Sequence, residues 1–184
     1  METICRCGWC NLRNPLYVAY HDREWGVPQH DDGKLFELLV LESFQAGLSW
    51  ETILNKREAF RAAFGGFIPE RVAACGEAET AALLENRDIV RNRRKIAAAV
   101  QNAKVFLEIQ REWGSFSHYI WHFTDGQVVH ETGMASSPLS DRVSADLKKR
   151  GMTFVGTTIV YAYLQAIGVI DSHDPGCFLH KGTD

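Results

Sequence analysis

One segment, residues 35–50, restricts the possible folds of this chain more than any other: LFELLVLESFQAGLSW. Its first part is almost entirely apolar, which predicts a helix buried on most of its surface by other elements. Glu42 lies within it, on the same face as Leu35, Leu39 and Ala46. A carboxylate at such a position costs several kcal/mol or more unless it is paired, hydrogen-bonded or protonated. Glu42 is therefore a candidate functional residue.

The rest of the chain predicts an all-α fold of many short helices. Helices are expected at residues 34–46, 50–64, 68–74, 77–85, 91–111, 117–123, 138–149 and 157–167. Residues 1–33 and the tail from Val169 are predicted to be irregular. Residues 124–136 are the only plausible β segment, with a turn at Asp125-Gly126. Because there is no internal repeat and no linker-like change in composition, residues 1–184 are predicted to form a single domain.

Composition narrows the class of protein. Hydrophobic residues make up 46% and charged residues 23% of the chain, as is ordinary for a globular domain. There is no secretory signal and no apolar run that could span a bilayer, so we expect a cytoplasmic monomer without a membrane partner. The net charge of −3 argues weakly against a nucleic-acid partner, although a local basic patch can dominate binding.

Cysteine and histidine residues are concentrated near both ends of the chain. They are Cys5, Cys7, Cys10 and His21 at one end, and His173, Cys177 and His180 at the other. Zinc takes four nitrogen or sulfur ligands, often as two pairs close in sequence. His173 and Cys177 form a suitable second pair, whereas the first could be Cys7 with either Cys10 or His21. The alternatives are buried thiols with surface histidines, or a redox motif at residues 7–10, which lacks the following helix that such motifs need.

A basic segment, RDIVRNRRK at residues 87–95, lies between two predicted helices. A corner between helices with basic residues and exposed amides is suited to holding phosphate groups. A solvated turn is an equally good explanation of these residues taken alone.

Several motifs together resemble one family. CGW at 7–9, YVAYHDREWGVP at 17–28, LESFQAGLSW at 41–50 and LKKRGMTFVGTT at 147–158, followed by His173-x3-Cys177, are similar to the type I 3-methyladenine DNA glycosylases. The resemblance runs in order through essentially the whole chain. It implies a helix-hairpin-helix fold with two helical lobes that share a base pocket. It also implies one structural zinc ion that joins the termini through Cys7, His21, His173 and Cys177.

The same resemblance implies a function for Glu42. The chain would act on alkylated double-stranded DNA and hydrolyse the N-glycosidic bond of 3-methyladenine, without lyase activity, after flipping the nucleotide out of the helix. Glu42 would then bind the extruded cationic base and act as a catalyst only in the electrostatic sense. The aromatic residues Trp9, Tyr17, Tyr20 and Trp50 would stack on that base. Activity on 3-methylguanine is also plausible, because methylation at N3 makes both purines cationic.

The DNA contacts implied by the resemblance fall on two segments. Gln45, Gly47 and Leu48 would approach the DNA, with either Gln45 or Leu48 as a wedge between bases. Arg91, Arg93 and Lys95 would bind phosphates. Two positions depart from the family pattern, since Phe44 replaces a polar residue and Asp88 replaces the expected glycine of the hairpin. Phe44 either tightens the pocket or packs in the core.

Two other functions compete with excision. A DNA-binding protein that has lost excision could keep the same fold, but it gains nothing from Glu42 in an apolar pocket. A thiol-redox or metal-sensing protein could instead use Cys5, Cys7 and Cys10.

Overall fold

The structure, a computed structural model, describes residues 4–181 and is mainly helical over that range. The α-helices are α1 (Pro15–Arg23), α2 (Asp32–Gln45), α3 (Trp50–Asn55), α4 (Arg57–Ala63), α5 (Pro69–Ala73), α6 (Glu77–Glu85), α7 (Arg93–Trp113), α8 (Phe116–Trp121), α9 (Pro138–Lys149) and α10 (Thr157–Ala166). Short 3-10 helices cover Gly65–Phe67 and His122–Thr124, and two strands cover Val129–His130 (β1) and Ile170–Asp171 (β2). The predicted helical class is confirmed. The predicted domain, residues 1–184, extends at each end beyond the described residues.

Helix α2 forms the centre of the core, as its sequence predicted. Asp31 caps its first turn by accepting a hydrogen bond from the Lys34 N–H at 2.9 Å. All residues from Leu35 to Phe44 are buried, and α3, α7, α8 and α10 pack around the helix. Phe44 lies in the core, where its ring meets the rings of Phe60 and Phe64. Of the two explanations offered for Phe44, the structure supports packing.

The single helix predicted at residues 50–64 is wrong, because the chain breaks at Lys56 between α3 and α4. The backbone of Lys56 leaves the helical region, with φ −100° and ψ 2°. The break directs the side chain of Lys56 to the carbonyl of Asp88, at 3.0 Å. It also lets Arg57 pair with Glu24 and Glu37. These tertiary contacts accompany the break, and the local helical pattern does not predict them.

Residues 1–33 are not wholly irregular, because Pro15–Arg23 form α1. Asn14 caps this helix by accepting from the Leu16 N–H at 3.1 Å, and Pro15 occupies its first position. These start signals were present in the sequence. The short length and weak apolar periodicity of the helix hid them.

The β structure joins two distant segments. Asp125-Gly126 forms the predicted turn, with φ values of 51° and 76°. However, β1 does not form a hairpin after that turn. It pairs in parallel with β2, in the tail predicted to be irregular, with Val129 opposite Ile170 and His130 opposite Asp171. A parallel partner so far along the chain leaves no local sequence signal.

Gly168 allows the segment before α2 to lie against the end of α10. A Cβ atom at this residue would be 2.3 Å from the backbone of Val27, and its φ is +72°. The Gln29 N–H donates to the Ile167 carbonyl at 2.9 Å across this contact. The close approach carries Trp25 and Gly26 to one side of the functional site. Within residues 4–181, no helix is long and apolar enough to cross a membrane.

Candidate active site and metal centre

A cavity of about 330 Å³ opens beside the C-terminal half of α2. Its wall contains Trp9, Tyr17, Tyr20, Trp25, Glu42, Gln45, Trp50, Gly133, Met134, Ala162, Gln165, Ser172 and Asp174. All five residues proposed for the base pocket therefore line one cavity. Its size and mixed lining suit a small aromatic ligand with a few polar groups.

Glu42 is the buried carboxyl group in the wall of this cavity. Its side chain is 3% exposed, and its Oε2 atom has no hydrogen-bond partner. Burial alone raises the pKa of Glu42 to about 8. No cation of the described chain contributes to that shift, so the carboxyl group is free to meet a cation or a hydrogen-bond donor brought by a ligand.

Aromatic rings line the same cavity as this carboxyl group. The Trp9 ring lies 5.4 Å from Tyr17 and 4.8 Å from Trp25, and the Tyr20 ring lies 5.1 Å from Trp50. The indole N–H of Trp50 is buried without a partner. The wall thus offers π faces to a planar ligand, together with the unpaired Oε2 of Glu42 and the unpaired indole N–H of Trp50.

Sequence reasoning missed part of the cavity wall. Trp25 lies in the motif at residues 17–28, four residues after His21, and its position near the end of α1 could have suggested it. Met134 and Ser172 come from irregular segments far from α2 in sequence. The β1–β2 pairing holds these segments next to each other, and nothing local in the sequence predicts it.

A compact group of metal-binding side chains lies directly behind the cavity wall. The donor atoms of Cys7, His21 and Cys177 are buried and all lie within 4.8 Å of one another. The Nε2 atom of His21 is 3.5 Å from the sulfur of Cys177. These three residues could form a metal site. Cys10 is not part of this group, and its sulfur lies instead near the carbonyl of Tyr17.

His173 lies beside this group. Its ring is 5.5 Å from that of His21, and its buried Nε2 atom has no hydrogen-bond partner. Its Nδ1 atom is 2.7 Å from a carboxylate oxygen of Asp171, just as Nδ1 of His21 is 2.8 Å from Asp22. Carboxylates in this position orient metal-binding histidines, so the donor set fits zinc.

The electrostatics of the group also fit a cation. Burial raises the pKa of the Cys7 thiol to about 12, so a positive ion is needed to hold a thiolate there. Burial lowers the pKa of His21, which favours the neutral imidazole that metals bind. The metal-site candidate and the cavity share a wall, because the Trp25 ring packs 4.8 Å from the ring of His173.

The loop after α2 presents the predicted wedge residues. Gln45 lines the cavity, and Gly47 and Leu48 are exposed at the turn that follows it. The Leu48 side chain is 40% exposed although it is apolar. Gly47 has a φ of +78°, which a side chain would disfavour.

The basic corner lies between α6 and α7. Arg91 and Arg93 are exposed, and Asn92 caps α7 by accepting from the N–H groups of Arg94 and Lys95. Asp88 is also exposed in this corner. The expectation that Lys95 binds phosphate is wrong. Its side chain is 6% exposed, and its ammonium donates to the carbonyls of Phe44 and Ala46 at 2.7 and 2.6 Å.

Comparison with known proteins shows which family the chain belongs to. A sequence model described as methyladenine glycosylase matches residues 9–180. The chain belongs to this family. It is 45% identical to DNA-3-methyladenine glycosylase 1 of Escherichia coli strain K12. The alignment of 184 positions covers 97% of this chain and 98% of that protein.

Solved structures of methyladenine glycosylases have the same fold. A crystal structure of 3-methyladenine DNA glycosylase I superposes with a TM-score of 0.92 at 46% identity, covering 96% of this chain and 100% of the other. A variant of 3-methyladenine DNA glycosylase I, solved in complex with 3-methyladenine, superposes with a TM-score of 0.89 at 35% identity over 96% and 99% of the two chains.

Proposed function

We propose that this methyladenine glycosylase repairs alkylated double-stranded DNA by hydrolysing the N-glycosidic bond of 3-methyladenine. The observation that carries the proposal is the unpaired carboxyl group of Glu42 at the wall of an aromatic cavity of base-like size. The relatives named for this activity cover nearly the whole chain. A function in base excision repair follows from this membership.

Glu42 recognises the damaged base by its charge. Methylation at N3 gives the adenine of the nucleotide a positive charge, and a carboxylate in a dry cavity attracts that charge more strongly than water does. Because the pKa of Glu42 is raised to about 8, most of the free protein carries the proton at neutral pH. Binding of the cationic base expels that proton. The faces of Trp9, Tyr17, Tyr20 and Trp50 hold the ring.

The chemical step makes few demands on the protein. The oxygen of a water molecule bonds to C1′ of the sugar while the bond from C1′ to the base nitrogen breaks. The bonding electron pair neutralises the departing base, and the water loses a proton to solvent. Because no lysine adduct forms on the sugar, the enzyme is monofunctional.

We propose that one structural zinc ion is held by Cys7, His21, His173 and Cys177. The unpaired Nε2 of His173 supports its inclusion with the other three ligands. The ion supplies only a cross-link between the two ends of the chain. Cys7 and Cys177 provide the negative charge, while Asp22 and Asp171 orient the two histidines.

Two surfaces would meet DNA in a monomeric enzyme. The α6–α7 corner serves as the helix-hairpin-helix element, in which Arg91 and Arg93 bind phosphates. Gln45, Gly47 and Leu48 approach the gap left by the flipped nucleotide. Exposure of Leu48 supports it as the apolar wedge, whereas Gln45 is half-buried at the cavity.

The first test measures bases released from methylated duplex DNA by wild type and by Glu42→Gln. Wild type is expected to release 3-methyladenine and to leave 7-methylguanine. Glu42→Gln keeps the shape but loses the charge, so we expect release on the order of 100-fold slower. Glu108→Gln, an exposed glutamate on α7, is the matched control and should retain full activity.

Two results would contradict the proposal. If wild type binds zinc and DNA but releases no base, the chain is a binding protein and not an excision enzyme. If Glu42→Gln is as fast as wild type, the charge of Glu42 has no function in excision.

The phosphate contacts are tested by the salt dependence of DNA binding. Arg91→Met or Arg93→Met should weaken binding to DNA of any sequence. Each should also make the negative slope of log K against log salt shallower by about 1. Lys104→Met, an exposed lysine further along α7, should leave the slope unchanged. An unchanged slope in the arginine variants would show that Arg91 and Arg93 do not contact DNA phosphates.

A further inference from the structure

Lys95 is buried at the C-terminus of α2 in an arrangement that its own helix does not require. Its ammonium donates to the carbonyls of Phe44 and Ala46, on either side of Gln45. Burial lowers the pKa of Lys95, and no carboxylate contributes to offset that loss of hydration. An apolar residue would fill the space without that loss of hydration, but it would leave both carbonyls without these hydrogen bonds. The lysine therefore contributes two hydrogen bonds that packing alone does not.

The two carbonyls fix the start of the exposed loop. A helix leaves its last carbonyls without partners inside the helix, and the ammonium satisfies one of them together with one just beyond. The chain then turns sharply, with Gly47 at φ +78° and the Leu48 N–H donating to the Gln45 carbonyl at 2.6 Å. Lys95 thus holds the base of a tight turn that has Leu48 at its tip.

The other end of Lys95 belongs to the basic corner. Its backbone N–H donates to the Asn92 cap at 3.2 Å, and the exposed Arg91 and Arg93 lie within one turn of it. One short segment therefore carries both the exposed cations and the clamp on the loop, by which we mean the two hydrogen bonds from the Lys95 ammonium to the carbonyls of Phe44 and Ala46.

We propose that Lys95 is a positioning residue that couples phosphate binding at the corner to insertion of Leu48 into DNA. The inference rests on the proposed function. It assigns Lys95 no contact with DNA or with the base. Glu42 lies in the preceding, regularly hydrogen-bonded part of α2, so the cavity should keep its affinity for a free base when the clamp is removed.

The test compares Lys95→Met with Leu48→Ala and with the double variant. Methionine keeps an unbranched stem but removes the charge and the donors. Three quantities are measured: tryptophan fluorescence on binding free 3-methyladenine, fluorescence of 2-aminopurine placed opposite an abasic-site analogue, and the single-turnover rate of excision. Lys104→Met is the matched control on the same helix, and thermal melting with zinc content reports folding.

Lys95→Met is expected to bind free 3-methyladenine like wild type, to lose the 2-aminopurine signal, and to excise about 10- to 100-fold more slowly. The double variant should be no slower than the slower single variant, because both act through one loop. Lys95→Arg, which keeps the charge, should recover part of the rate.

Three results would overturn the inference: an unchanged 2-aminopurine signal in Lys95→Met, multiplicative effects in the double variant, or loss of free-base binding together with excision. The last result would make Lys95 part of the general support of the cavity. Failure of wild type itself to excise would instead contradict the proposed function. The 2-aminopurine comparison on abasic DNA needs no excision and still tests the coupling.

Discussion

At the scale of single residues, three of the five buried polar side-chain atoms without partners in the described residues lie at the candidate sites, and the other two, Glu131 Oε2 and Tyr161 Oη, lie elsewhere. Glu42 Oε2 and Trp50 Nε1 lie at the cavity, and His173 Nε2 lies at the metal-site candidate. Burial of such an atom without a partner costs free energy in the folded state. Its presence is best explained by a ligand that supplies the missing hydrogen bond or metal bond. The sequence indicated Glu42 through its apolar surroundings. It gave no such signal for the Trp50 indole.

The raised pKa of Glu42 makes stability depend on pH. The folded chain holds the proton up to a pKa of about 8, above the ordinary 4.5 of the unfolded chain. The folded state thus binds more protons, and the free energy of unfolding should fall as pH rises between these values, by up to about 1.4 kcal/mol per unit. Glu42→Gln removes this loss. The free energy of unfolding of Glu42→Gln minus that of wild type should therefore increase as the pH rises above about 4.5, and it should level off above about pH 8.

Urea denaturation at several pH values between 5 and 9 measures this difference. Glu108→Gln serves again as the control and should follow wild type at every pH. A constant difference between Glu42→Gln and wild type over that range would mean that Glu42 is not held in its protonated form by burial.

At the scale of elements, the sequence predicted the elements whose own residues carry the signal. The apolar run of α2 is such a signal, and the ranges predicted for α6 and α9, 77–85 and 138–149, agree with the structure. The break at Lys56 and the β1–β2 pairing have no local signal, because the first is accompanied by tertiary ion pairs and the second needs a strand that is distant in sequence. Lys95 illustrates the same limit. Its neighbours in sequence are exposed cations, and only the packing of α7 against α2 turns it inward.

The contact between α10 and the segment before α2 predicts a strong effect at Gly168. An alanine there would place its Cβ within 2.5 Å of backbone atoms of Val27 and Pro28, at an unfavourable positive φ. Gly168→Ala should destabilise the fold by several kcal/mol, as measured by urea denaturation. Gly156→Ala, at the other end of α10, is the control, since nothing lies within 4 Å of its Cβ position. Similar stabilities of the two variants would show that residues 26–29 move aside freely.

At the scale of the whole molecule, the fold depends on joining segments from opposite ends of the chain. The Phe178 N–H donates to the Cys5 carbonyl at 2.9 Å, and Asp174 accepts from the Gly8 N–H at 2.8 Å. Trp9 and Asp174, one from each end, both line the cavity. The shape of the proposed base pocket therefore depends on keeping these two end segments together.

Removal of zinc should loosen both ends of the chain at once. We expect one zinc ion per chain, retained in Cys10→Ala and lost in Cys7→Ser and in His173→Gln. Chelation should lower the Tm by on the order of 10 °C, because the energy of metal binding contributes to folding. Hydrogen exchange should accelerate at residues 4–10 and 172–178, while α7 keeps its protection. Affinity for free 3-methyladenine should fall with the loss of metal, because Trp9 and Trp25 lose their support. Zinc retained in Cys7→Ser but lost in Cys10→Ala would contradict the proposed ligand set and favour a metal-sensing function for the N-terminal cysteines.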